Sequence, residues 1–309
     1  MKILIALGGN AILKGSERGT SEEQQANIIR TARQIARIIK RGHDAIITHG
    51  NGPQIGDILL RYEIAREQLP VMPVHICGGE SQGMMGYMIA QAITNELRRA
   101  GAKKEAVCLL TQTVVNSRDP NFKNPSKPIG PFYEKAQAQK LAREYGWKLI
   151  PEGEKYRRAV PSPVPLEIVE LEAIRKLVSS GYAVVCAGGG GVPVIRRGSA
   201  LQGIDAVVDK DFASSLLARN LNTDLLMILT DVSHAFINFR KRGRMELHRI
   251  KVQEAEKYLA EGQFEEGTMK PKVQAAIDFV KHTGKSAVIT SLENAEIALS
   301  GKACTIITK

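Results

Sequence analysis

Glycine turns and single lysines are the groups in this 309-residue chain whose types and spacing could do chemistry. Gly8, Gly9 and Asn10 follow the apolar run 3–7; Gly50, Asn51 and Gly52 follow the run 44–48; Gly188, Gly189, Gly190 and Gly191 follow 182–187. Bare main chain at a strand end lets an anion approach backbone N–H groups. The lysines are Lys127 in the proline-stiffened KPIGPFY, Lys210 in the D-K-D of residues 209–211, and Lys272 in GTMKPK. Lys210 and Lys272 stand at helix starts, where the dipole already favours an anion. Taken singly, each motif also reads as a plain turn, a capped helix start or a rigid linker. Their shared character points to phosphoryl transfer, in which a protein mainly positions the group and neutralises charge on its equatorial oxygens.

Such groups need a frame, and the hydrophobic pattern supplies one. Short apolar runs alternate with helical stretches, which predicts a parallel sheet whose ligands gather beyond the carboxyl ends of its strands. Strands are expected at 3–7, 44–48, 106–111, 182–187, 225–230, 287–290 and 305–308, with a hairpin over 235–247. A capping box of Thr20 and Glu23 opens a helix with Ile28, Ala32, Ile35 and Ile39 on one face, stopped by Gly42. Pro53 suits the first turn of the next helix. Further helices are expected at 80–100, entered through Gly78 and Gly79, at 166–179, from Asp209 onward, and at 273–281. Eight of the 13 prolines fall between Pro120 and Pro165. Residues 116–164 therefore read as an excursion from the sheet, a lid, with KPIGPFY as a stiff turn. The sum is about eight strands in one three-layer α/β domain whose two lobes meet near Ala187.

Composition excludes several classes. Hydrophobic residues are 43% and charged residues 24%, and no apolar run approaches the ~20 residues that span a bilayer. The segment after Lys2 is broken by residues 8–10 and lacks a cleavage site, so it is not a secretory signal, and a cytoplasmic protein is expected. Cys77, Cys108, Cys186 and Cys304 are scattered; Cys108 and Cys186 lie in apolar runs, so buried free thiols are expected. The six histidines are dispersed without zinc-ligand spacing, and no metal ligand is expected. No phosphate-loop motif, no dinucleotide fingerprint and no G-x-S-x-G elbow occurs. His49 reads as a packed strand-end histidine. The net charge of +11 includes the cluster Arg240, Lys241, Arg242 and Arg244, read as a solvated hairpin. That charge motivates a rival of another class, a nucleic-acid-binding module, although only 5% of residues are aromatic and a basic surface also suits polyphosphates.

ALGGNAIL, THGNGPQIG, SQGMMGY, NPSKPIGPFY, PSPVP, GGGGVPVI, VDKD, MILTDV and GTMKPK occur in the order, and at about the spacing, of carbamate kinases in the amino acid kinase superfamily. The chain resembles that family over nearly its whole length; KPIGPFY and the pairing of GGGGVPV with VDKD single out carbamate kinase. The resemblance implies a three-layer αβα sandwich around an open, mainly parallel eight-stranded sheet, with a small protruding lid subdomain, in a homodimer. It implies one domain over 1–309, with a carbamate and carbamoyl phosphate lobe at 1–186 (lid at about 116–164) and a nucleotide lobe at 187–309. The activity implied is reversible phosphoryl transfer between magnesium-bound ATP and carbamate, giving ADP and carbamoyl phosphate, with no nucleic-acid or membrane partner. By motif, Gly8, Gly9 and Asn10 hold the transferred group, and Lys210 and Lys272 contact the nucleotide phosphates. Asp211 orients Lys210; Gly50, Asn51 and Gly52 bind carbamate or carbamoyl phosphate; Lys127 closes from the lid. The adenine lies near Asp231, Ala235, Phe236 and Met269, and Mg2+ is held mostly by phosphate oxygens and water. GTM stands where many members have G-S-M, and Lys270 has no assigned role. The nearest rival is another amino acid kinase acting on a different acyl or phosphate acceptor.

Overall fold

A computed structural model describes residues 1–13, 17–239 and 243–309, and of Asn10 the main chain only. The first strand, β1 (Lys2–Leu7), lies at the centre of an eight-stranded sheet. Its alternate residues serve two cores: Ile3, Ile5 and Leu7 pack on one face, Leu4 and Ala6 on the other. That double burial is why the strand reads as an unbroken apolar run.

The chain then builds outward on one side of β1. The capping box of Thr20 and Glu23 opens α1 (Ser21–Lys40) as expected. β2 (Asp44–His49) pairs parallel to β1, and α2 (Gly52–Ile64) carries Pro53 in its first turn. Helix α3 (Val74–Arg99) starts earlier than its glycines signalled: Gly78 and Gly79 lie inside it, and Pro73 sits at its N-cap. Burial of Cys77, Met85, Ile89, Ile93 and Leu97 outweighs the weak helix propensity of glycine. The strand expected at 106–111 is two strands. β3 (Ala106–Cys108) ends the large sheet, and the chain crosses to β4 (Gln112–Val115) in another sheet. As β3 is an edge strand, Cys108 is exposed rather than buried.

The excursion over 116–164 contains a small sheet of β5 (Lys127–Tyr133), β6 (Lys148–Glu152) and β7 (Lys155–Val160), ordered β5-β7-β6, with α4 (Lys135–Tyr145). KPIGPFY is thus a strand and not a turn. Its prolines are tolerated because β5 is an edge strand, and the pairing register shifts between Ile129 and Tyr133, where Gly130 has φ +75°. Tyr133, Ala138, Leu141 and Trp147 give this subdomain its own core, with the Arg158 guanidinium 4.3 Å from the Trp147 ring.

β8 (Pro165–Ile168) occupies the start of the helix expected at 166–179, because it pairs antiparallel with β4; α5 (Leu171–Ser179) follows. Next come β9 (Ala183–Val185), parallel to β2, and the hairpin of β10 (Val192–Arg197) and β11 (Ala200–Gly203). With β4 and β8 that hairpin makes a four-stranded sheet, order β11-β10-β4-β8, which the sequence pattern did not announce. α6 (Lys210–Asn220) precedes β12 (Leu225–Thr230), which pairs with β1 on the side away from β2. The hairpin β13 (Ala235–Ile237) and β14 (Met245–Leu247) leads to β15 (Arg249–Lys251), α7 (Val252–Ala260) and α8 (Met269–Thr283). α8 begins four residues before the expected 273, taking Pro271 into its first turn. β16 (Ser286–Ser291), α9 (Ala295–Ala298) and β17 (Thr305–Thr308) complete the chain.

The large sheet runs β15-β17-β16-β12-β1-β2-β9-β3 and is parallel except where β17 meets β16. One core holds side chains of α5, α6, α7 and α8, the other those of α1 and α3, so the sheet is the middle of three layers. Strand order reverses at β1, whose neighbours β12 and β2 come from opposite halves of the chain. That reversal opens a crevice beyond the carboxyl ends of the strands. Among the described residues no helix is long and apolar enough to cross a membrane.

Candidate active site

A cleft of about 900 Å³ occupies that crevice. Gly9, Gly50, Asn51 and Gly52 line it from the ends of β1 and β2; Lys210, Asp211 and Lys272 from the first turns of α6 and α8; Lys127 from the lid. The first two turns nearly touch. A β-carbon built on Gly50 would stand 3.4 Å from Cδ and Cε of Lys210 and 3.8 Å from the main-chain nitrogen of Gly9. Beyond β1 the chain makes one 3-10 turn, Gly9–Ala11, whose first amides have no acceptor within the turn.

Two lysines converge on one carboxylate. Lys210 Nζ donates to Asp211 Oδ1 at 2.6 Å and Lys272 Nζ to Asp211 Oδ2 at 3.1 Å. The Asp211 side chain is 4% exposed, the lysines 11% and 12%, so all three charges sit largely out of water. Burial opposes the charge on Asp211, but Lys210 and Lys272 overcome it and hold its carboxyl well below the usual range. Burial lowers the pKa of Lys210, with Asp211 opposing that and Lys272 adding to it. For Lys272 burial is outweighed by Asp211, with Asp209 and Asp231 contributing, and its pKa is raised. The cluster carries one excess positive charge facing a cleft.

Asp209 links this cluster to the lid. Its Oδ1 accepts from the Asp211 N–H at 2.9 Å as the N-cap of α6, while its Oδ2 accepts from Lys127 Nζ at 2.5 Å. Sequence reasoning saw Asp209 only as a cap; its second partner is 82 residues away and left no local signal. The lid itself is seated by two glycines. A β-carbon on Gly56 of α2 would fall 1.7 Å from the Gly130 Cα of β5, so only glycine allows that crossing, and it aims Lys127 into the cleft.

The four-glycine run works differently from the other turns. Built β-carbons would meet His49 Nε2 at 2.4 Å from Gly188, Asn51 Nδ2 at 2.1 Å from Gly189, the Val208 carbonyl oxygen at 2.4 Å from Gly190, and Thr113 Oγ1 at 2.2 Å from Gly191. Its bare backbone is needed for three side chains and the Val208 main chain to pack close; of the four, Gly189 lines the cleft. His49 is buried and its Nδ1 pairs with the Gly50 carbonyl at 2.9 Å. Burial pushes its pKa down to about 4, so it is a neutral packing residue at neutral pH, as the sequence implied. The Asn51 amide donates to Ser81 Oγ at 2.7 Å, an orienting partner on α3 that the sequence did not reveal.

Other expected residues lie apart. Gly8 and Asp231 line a second, smaller pocket of about 310 Å³ behind the end of β1. Ala235 and Phe236 are buried in the β13–β14 hairpin, and Met269 packs against the core at the start of α8; none of them lines the large cleft. The side chain of Asn10 lies outside the described residues, as do Arg240, Lys241 and Arg242 of the basic cluster. Arg244 of that cluster stacks its guanidinium 3.8 Å from the Phe236 ring and 4.8 Å from that of Phe239. Lys270 reaches Glu266 at 2.5 Å on the cleft rim.

Known proteins are similar to this chain in sequence and fold. The profile of the amino acid kinase family matches residues 1–291. A carbamate kinase of Pyrococcus horikoshii is 49% identical over 310 residues, covering 99% of each chain. One of Trichomonas vaginalis is 48% identical, covering 98% of each. Among solved structures, a carbamate kinase from Giardia lamblia bound to AMP-PNP superposes with a TM-score of 0.92 at 44% identity, covering 100% of this chain and 98% of that one.

Proposed function

From the premise that the chain belongs to the amino acid kinase family and, within it, to the carbamate kinases, ATP-dependent phosphotransferases whose acceptor is carbamate, we propose the following roles for its residues. The amides of Gly9 and Asn10, with Gly8 behind them, hold the migrating phosphoryl group. Lys210 and Lys272 lie along the nucleotide phosphates and neutralise charge that grows on the bridging oxygen as its bond loosens. Asp211 is a positioning residue: shared between two ammonium groups, it keeps both charged and aimed, and takes no proton. Gly50, Asn51 and Gly52 bind carbamate or carbamoyl phosphate, and Lys127 leaves Asp209 to close over it. Carbamate is already an anion and attacks directly, so no general base is needed, in keeping with a neutral, packed His49.

The observation that carries this reading is the bond of Lys210 and Lys272 to one buried carboxylate beside Gly9 and Gly50. Residues 1–186 then serve as the carbamate lobe, with the lid at about 116–164, and 187–309 as the nucleotide lobe. The adenosine lies between Asp231, the hairpin residues Ala235 and Phe236, and Met269; support comes from the proximity of the Asp231 charge to Lys272. The nucleotide enters as its magnesium complex. Asp209 and Asp211 are already engaged by lysines, which favours a metal carried on phosphate oxygens and water. Four free cysteines favour a reducing cytoplasm. The exposed stripe of Ile76, Met84 and Tyr87 on α3 favours a homodimer, checked by light scattering. Mixing the protein with carbamoyl phosphate and Mg-ADP tests the activity: ATP forms, whereas acetylglutamyl phosphate or a nucleoside diphosphate in place of carbamoyl phosphate gives none. Absence of ATP from carbamoyl phosphate would overturn the assignment.

A further inference from the structure

The ends of the β13–β14 hairpin gather three metal-ligating side chains that the phosphoryl-transfer roles above do not use. Ala235 pairs with Leu247, and Phe236 with Glu246. One step further along each strand, His234 stands opposite His248. Because side chains alternate, Ala235 and Leu247 enter the core while His234, Glu246 and His248 share the other face. The result is a cross-strand pair of imidazoles with a carboxylate on the diagonal. The two rings are 4.8 Å apart between centroids and nearly perpendicular, at 78°. His234 Nδ1 is 3.6 Å from Glu246 Oε2, and one donor atom from each of the three residues lies within 4.8 Å of the others.

We propose that His234, Glu246 and His248 form a binding site for a borderline divalent transition cation, of which Zn2+ is the representative. Two imidazoles and a carboxylate are a recurrent zinc donor set, and imidazole suits zinc better than magnesium. A tetrahedral zinc with bonds of about 2.05 Å needs its donors about 3.3 Å apart. The observed separations call for side-chain rotation on a braced hairpin, not a change of fold. The bracing is visible: the Ala235 N–H donates to Thr305 Oγ1 at 2.8 Å, the Thr305 hydroxyl donates to the Leu247 carbonyl, and the Ile306 N–H donates to the His248 carbonyl at 2.6 Å. The site is dry on one side and open on the other. The His234 side chain is 9% exposed, that of Glu246 47%, and His248 is exposed, which leaves a coordination position for water. Ser233 Oγ, 2.9 Å from His234 Nδ1, helps fix the orientation of that ring. The neighbouring cation, Arg244, is drawn away onto Phe236 and Phe239. The sequence signal is faint: E-x-H along one strand, with the second histidine 14 residues earlier on its partner.

Untagged, nucleotide-free protein is titrated with Zn2+ against a chromophoric chelator, with Mg2+ in large excess. One equivalent binds that Mg2+ does not displace, and Zn2+ raises the melting temperature. His248→Gln, at an exposed position, lowers the affinity on the order of 100-fold with unchanged circular dichroism, and Glu246→Gln about 10-fold. Co2+ gives a visible absorption band that His248→Gln abolishes. Wild-type zinc affinity in both His248→Gln and Glu246→Gln, or no equivalent bound in competition with the chelator, would overturn the proposal. Zinc affinity and the cobalt band are read on nucleotide-free protein, so the outcome does not depend on whether the same hairpin also holds adenosine.

Discussion

The two ends of the cleft are built on different principles. At the end proposed to hold the phosphates, Lys210, Lys272 and Asp211 hang from the first turns of α6 and α8, which pack on the central sheet, and all three are largely buried. At the lid end Lys127 comes from an edge strand of a separate small sheet, and its side chain is 29% exposed. Charges buried together depend on each other strongly, whereas a pair with one member partly exposed is more screened by water. The phosphate end should therefore act as one fixed unit and the lid end as a latch that opens. Asp209 touches both, capping α6 with one oxygen and holding Lys127 with the other.

That contrast can be broken by mutation, and the largest effect is expected at its centre. Asp211→Asn leaves two buried ammonium groups facing each other; removing one partner of such a set destabilises by about 3–5 kcal/mol. Urea denaturation should show that loss together with a fall in turnover, and a variant of parental stability would mean the lysines are not interdependent. Lys210→Ala removes one charge while Lys272 still satisfies Asp211. Turnover should drop about 10²–10³-fold with a modest change in melting. An early-melting variant that kept its turnover would make Lys210 structural.

His49, beneath the second turn, sharpens the same contrast through pH. Its folded pKa of about 4 lies below its unfolded value of about 6.5, so the unfolded chain takes up a proton first as pH falls. Its contribution is complete above pH 6.5 and is lost as pH falls toward 4, about 2 kcal/mol being gone by pH 5. Comparing denaturation at pH 7 and pH 5, His49→Gln should lose that much less than the parent; equal losses would remove His49 as the cause. Asp211 acts lower on the scale. Its depressed pKa makes its contribution constant above the unfolded value of about 3.9, and the contribution is lost only in stronger acid. The smallest effect on stability belongs to Lys127→Ala, about 1 kcal/mol, because Lys127 itself is partly exposed and Asp209 keeps its cap bond to the Asp211 N–H. Its effect should fall on the KM for carbamoyl phosphate, about 10-fold, with the KM for ADP little changed. A raised KM for ADP instead would place Lys127 at the wrong end.

What could be read from residues alone follows what is local. β1, β2 and β12 were legible because strands buried on both faces carry continuous apolar runs, and the start of α1 because Thr20 and Glu23 cap it within one turn. The turns and lysines were legible as types at strand ends and helix starts, and the motif order identified the family. KPIGPFY was misread because proline signals a turn unless the strand lies at an edge, and edge position is a property of the whole sheet. The start of α3 and the strand β8 were missed for a related reason: partners far along the chain decided them. The four glycines were recognised as demanding bare backbone, but the demand comes from His49, Asn51, Val208 and Thr113 rather than from a ligand alone.

The amino-acid sequence by itself determined the alternation of strands and helices, the strand-end turns and the kinds of charge available to a phosphoryl group, because each depends on a few neighbouring residues. Only the tertiary structure decided that Lys210 and Lys272 share Asp211, that Lys127 is latched by Asp209, and that His234 meets His248. Those pairings form between residues brought together by sheet order and strand register, which arise from burying both faces of the sheet at once and leave no trace in local spacing.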